Sequence, residues 1–117
     1  MLENGHDVRA SIKACRAAGA RGIDYGPCEQ GVMMENSLRY AGREDYAASA
    51  ARGCAPVAGS AHLRDVCFDN LGVVAALSHG HDFERAAAEC RQLEGKPARW
   101  SCLRGVQGEV AEAGRHG

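Results

Sequence analysis

Apolar positions along the chain recur at intervals of three and four. Val8, Ile12 and Cys15 share one face of a helix, the spacing of an amphipathic segment with one side buried. Asp7 stands before them as an N-cap. Gly19 and Gly22 break the pattern, and Tyr25-Gly26-Pro27 leads into a second helix with Pro27 in its first turn. The stripe of that helix reads Cys28, Val32, Met34 or Glu35, and Leu38, and Gly42 ends it. A third helix starts at Glu44 or Asp45, with Tyr46, Ala47, Ala50 and Ala51 facing inward up to Gly53-Cys54. The stretch 55–60, with Pro56 and Gly59, reads as a loop. Leu63, Val66, Cys67, Asn70 or Leu71, Val74 and Leu77 form the clearest stripe of the chain. His79-Gly80-His81 is a turn, and Asp82 caps a helix carrying Phe83, Ala87, Cys90 and Leu93. After a break at Gly95-Lys96-Pro97, a last helix carries Trp100, Leu103, Val106 or Gln107, and Val110, and the chain turns polar from Glu112. Sustained alternation is absent throughout, so no strand is predicted.

The pattern repeats. Cys15 and Cys28 have twelve residues between them, Cys54 and Cys67 twelve, and Cys90 and Cys102 eleven. The first cysteines of the pairs lie 39 and 36 residues apart. With these cysteines aligned, Leu2-Glu3-Asn4-Gly5-His6-Asp7-Val8 falls beside Leu77-Ser78-His79-Gly80-His81-Asp82-Phe83. Gly31, Asn70 and Gly105 each follow a second cysteine by three residues, a place where a small side chain would let paired helices approach closely. A period of about 35–40 residues is the length of a helix pair and marks stacked repeat architectures. Each first cysteine ends one helix and each second begins the next. An antiparallel hairpin therefore favours Cys15–Cys28, Cys54–Cys67 and Cys90–Cys102, while all fifteen connectivities of six cysteines remain open to sequence.

Composition explains why such staples are needed. Among 117 residues only six are aromatic, and alanine and glycine dominate. A core of small side chains buries little area, so covalent restraint is expected. Oxidised, each pair closes a loop of about fourteen residues, worth on the order of 3 kcal/mol in the chain-entropy model. Disulfides imply an extracytoplasmic location: periplasm, cell surface or secreted. Met1-Leu2-Glu3-Asn4 lacks the basic start and apolar core of a secretory leader, and no run is long enough to span a membrane. The net charge of −1, with arginines interspersed among acids, argues against nucleic acid as a partner.

The helix-pair period, together with Cys67-Phe68-Asp69-Asn70-Leu71-Gly72, resembles Sel1-like repeats, relatives of the tetratricopeptide repeats. Some secreted members of that group staple each helix pair with a disulfide. The resemblance implies an αα scaffold that binds proteins or peptides, and it transfers no catalytic residue.

Candidate chemistry is sparse. Zinc sites favour closely spaced ligand pairs such as C-x2-C, and the cysteines here have none. His79 and His81 flank a glycine, His6 occupies the place of His81 in the first repeat, and Met33 and Met34 offer thioethers. This set supports an alternative reading as a small metal- or haem-binding carrier. Asp7, Asp45 and Asp82 recur as helix caps, Met33-Met34 as flexible core filler, and Trp100 as a core residue beside Cys102.

These readings converge on an all-α fold: three disulfide-stapled helical hairpins stacked as a short αα repeat array. It forms one domain over 1–117, with repeats at about 6–41, 44–78 and 82–113. The expected role is non-catalytic: a protein–protein interaction module or accessory structural subunit of an extracytoplasmic assembly. No cofactor is expected, and the partners are proteins within a larger complex. Val8 and Ile12 are the expected partner-binding residues: in a stacked array a preceding helix would cover them, so another subunit or an upstream segment is expected to do so here.

Overall fold

A computed structural model describes residues 8–20 and 26–116. The described residues are helical and contain no strand. The elements are α1 (Val8–Ala20), α2 (Gly26–Leu38), α3 (Tyr46–Cys54), a single 3-10 turn (Ala55–Val57), α4 (Ala61–Ser78), α5 (Phe83–Arg91) and α6 (Lys96–His116). The helix starts and stops follow local chemistry. Ser60 caps α4, its hydroxyl accepting from the Leu63 N–H at 3.3 Å. Asp82 caps α5 in the same way, accepting from the Arg85 N–H at 3.2 Å. Asp45, the equivalent residue before α3, accepts no N–H of that helix. Its carboxylate instead takes the Ser49 hydroxyl at 2.8 Å and pairs with Arg43, so the expected cap is replaced by a side-chain cluster. Asp7 and His6 lie outside the described residues. Gly95 holds a left-handed φ of 88° just before α6, and Gly80 one of 63° just after α4, conformations that glycine adopts without steric cost.

Three disulfides join consecutive helices: Cys15–Cys28 between α1 and α2, Cys54–Cys67 between α3 and α4, and Cys90–Cys102 between α5 and α6. The Cα separations are 5.7, 5.8 and 5.5 Å, within the range that the bond requires. Five of the six cysteines are buried. The sulfurs thus act as core volume as well as staples, in a chain with few large apolar side chains.

Helix α4 is central. It packs most extensively on α6, then on α2, and it also touches α3 and α5. Two apolar clusters form around it. One gathers Tyr46, Leu71, Val74, Val106 and the Cys90–Cys102 bridge; the other gathers Val8, Ile12, Met33, Leu63 and the Cys54–Cys67 bridge. At the α4–α6 crossing both helices present glycine. A Cβ at Gly72 would overlap the carbonyl oxygen of Cys102, and one at Gly105 would overlap that of Asp69. The two backbones meet there directly. Gly31 differs from its repeat equivalent Gly105: its missing side chain faces open space, so it does not set a helix approach as its alignment implied.

The buried stripe of α2 is Glu29, Val32, Met33, Asn36 and Ser37, one position removed from the apolar stripe read from sequence. Cys28 and Leu38, assigned to that stripe, are exposed, as is Leu77 at the end of α4. Asn36 reaches α3, its amide donating to the Ala50 carbonyl at 3.0 Å. Gly53 makes the space, since a Cβ there would overlap the Asn36 amide. The Tyr46 hydroxyl donates to the Leu71 carbonyl at 2.6 Å and ties α3 to α4.

Candidate interaction surface

Helix α6 is buried on one side only. Ala98, Ser101, Cys102, Gly105 and Val106 face inward, at the i, i+3, i+4, i+7 and i+8 spacing of a single face. Trp100 and Gln107 are exposed on the side of the helix away from the glycine contact with α4, and Arg104 stands at the flank between, where its charge also acts on Asp69 of α4. Trp100 is 64% exposed, the most exposed large apolar side chain among the described residues. This corrects its expected place in the core. Its proximity to Cys102 in sequence puts it two residues away, which on a helix is more than half a turn around. Beside it Phe83 and Leu103 are partly buried, and with Arg91, Arg104 and Gln107 they line a recess of ≈ 450 Å³ between α5 and α6. The recess is an aromatic anchor with an apolar floor and two guanidinium groups at its edge. The Arg91 pairing with Glu84 spans 3.8 Å between exposed groups, so it is weak and yields readily to another anion. Exposed tryptophan flanked by arginine is the composition enriched at energetic centres of protein interfaces.

The residues expected to bind a partner sit elsewhere. Val8 and Ile12 are 3% and 4% exposed, packed with Val32, Met33, Val57 and Leu63 of the same chain. The first helix is covered by α2, the 3-10 turn and Leu63 at the start of α4. These later segments take the place of the expected upstream neighbour, and the two side chains are core.

The candidates among the described residues, His79, His81, Met33 and Met34, do not converge. Met33 is fully buried in the core, and Met34 packs on its edge. His81 has a left-handed φ of 65° and its Nε2 stands 3.5 Å from Glu109. His79 instead faces Glu89, whose carboxyl is pushed up by burial and partly restored by the histidine. Among the described residues no three His, Cys, Asp or Glu side chains stand close enough together to hold a metal ion, and no helix is long and apolar enough to cross a membrane.

One buried carboxylate escaped the sequence reading. Glu29 is 2% exposed; Arg16 of α1 approaches at 3.8 Å and His62 of α4 at 3.7 Å. Arg16 supplies the opposite charge that a carboxylate removed from water requires, and His62 brings α4 to the same group. No family model, curated protein or solved structure matches the chain, so the functional reading rests on these surfaces.

Proposed function

We propose that the protein is a non-catalytic interaction module, an accessory structural subunit of an extracytoplasmic assembly. Its three stapled hairpins act as a short αα array of the Sel1-like, tetratricopeptide-related kind. The observation that carries this reading is the α5–α6 face: an exposed Trp100 beside Phe83 and Leu103 at the end of the helical order. Helix α6 buries its opposite side on α4 as α4 buries a side on α2. The outer side of α6 is thus the place where a further helix, from a partner, would add. The staples support the extracytoplasmic location, since disulfides persist in oxidising compartments. They also suit the role, because a cross-linked scaffold loses little conformational freedom on binding.

The test is co-purification from the native source with wild type and with Trp100→Ala and Leu103→Ser variants. A partner recovered in fixed ratio with wild type and lost with both variants supports the reading. A partner retained by both variants refutes the assignment of the face. A stoichiometric metal or a haem absorption band in the purified protein would favour the carrier reading instead.

A further inference from the structure

A second concave surface lies at the opposite end, between α1 and the start of α4. Arg9, Ile12, Lys13 and Arg16 follow one another along α1 at i, i+3, i+4 and i+7, so they form one continuous strip. Opposite stand Pro56, Val57 and Leu63, and together they enclose a cleft of ≈ 320 Å³. Its floor is apolar: Ile12, Val57 and Leu63 back it, with the Pro56 ring at one side. Its rim is cationic, and no acidic residue lines it.

The three cations are not equally engaged. The Arg9 guanidinium donates to the Pro56 carbonyl at 3.0 Å, which fixes it across the cleft without neutralising it. Lys13 makes no ion pair among the described residues. Arg16 leans toward Glu29 at 3.8 Å and is partly spent there. Two cations therefore stand over an apolar floor with no carboxylate to satisfy them. Ser60 and the first turn of α4 border the same cleft, adding the positive end of a helix dipole.

We propose that this cleft binds an acidic peptide segment of a partner protein, with an aliphatic side chain on the Ile12–Val57–Leu63 floor and carboxylates against Arg9 and Lys13. Charge complementarity selects the occupant. The concave shape accepts one protruding side chain, which a flat bilayer does not offer. The site lies away from Trp100 and is independent of the interaction assigned to that face.

The test uses the full oxidised chain and three fluorescent pentapeptides in an anisotropy titration: Asp-Glu-Leu-Glu-Asp, the same peptide with serine for leucine, and Lys-Arg-Leu-Arg-Lys. The first is expected to bind best, with an affinity that falls as salt rises. Lys13→Glu, an exposed change, is expected to weaken it about tenfold, because an attraction becomes a repulsion. Trp100→Ala is expected to leave it unchanged, so failure of either site shows separately. Equal binding of the serine peptide, equal binding of the basic peptide, or no binding at about millimolar peptide overturns the proposal. So does binding to anionic vesicles in place of the peptide, or self-association of the chain that Lys13→Glu abolishes.

Discussion

Replacing glycine by alanine at four helical positions should change stability in opposite directions. Gly31 and Gly108 face open space. There the added methyl meets nothing, and the gain is the intrinsic helix preference of alanine over glycine, about 0.5–1 kcal/mol. Gly72 and Gly105 lie at the α4–α6 crossing, where the methyl would enter the space of a facing backbone carbonyl. A backbone cannot rotate away as a side chain can, so the two helices must move apart along the most extensive helix contact in the fold. Overpacking of this kind costs about 1–3 kcal/mol, and the rigidity of the obstacle argues for the upper end. Set against the helix preference, the net loss is about 2 kcal/mol. For a domain of this size that lowers Tm by roughly 8 °C. Because the two glycines line one crossing, the double variant should lose less than the sum of the two single losses. Calorimetry or circular dichroism on oxidised protein measures all five variants. A rise in Tm for Gly72→Ala and Gly105→Ala comparable to that of Gly31→Ala would refute the close approach of α4 and α6.

Other outcomes follow from individual contacts. Tyr46→Phe removes the hydroxyl bond to the Leu71 carbonyl and should cost about 1 kcal/mol in denaturant melts. Burial pushes the Tyr46 phenol well above its ordinary pKa of 10.0, so its contribution is complete below that value and is lost as pH rises further; absorbance titration should show it ionising only as the chain unfolds. Joint replacement of Cys54 and Cys67 by alanine opens a loop of about fourteen residues and should cost on the order of 3 kcal/mol, read from the denaturation midpoint. Burial also raises the Asp69 carboxyl, with Arg104 opposing it. The ionised form therefore weakens the fold, stability recovers as pH falls through the folded pKa, and Asp69→Asn should raise Tm at pH 7 by an amount that shrinks on acidification.

The helical class was legible from sequence because the three-and-four spacing survives even in a chain poor in large apolar residues. The cysteine pairing was legible because a hairpin leaves adjacent helix ends close together. The errors have a common cause. Apolar periodicity is blind to buried polar groups, so the α2 stripe of Glu29, Asn36 and Ser37 was passed over in favour of Cys28 and Leu38. Two of these polar positions depend on neighbours on other helices: Glu29 on Arg16 and His62, Asn36 on the Ala50 carbonyl. The core place expected for Trp100 rests on its nearness in sequence to Cys102, whereas two positions along a helix turn it to the outside. Val8 and Ile12 lack visible cover in the sequence because part of it, Val57 and Leu63, arrives some fifty residues later. Ser60 belongs by composition to the preceding loop, and only its hydroxyl bond to the Leu63 N–H marks it as the cap of α4.

The most direct test of the interaction reading places a photo-activatable amino acid at position 100 and, as a control, at the exposed position 31. After irradiation in the native source, cross-linked products are identified by mass spectrometry. The account predicts one discrete protein adduct from position 100 and none from position 31, with the adduct lost when Leu103→Ser is added. Identical adducts from both positions, or none from position 100 in material that retains its partners, would contradict it.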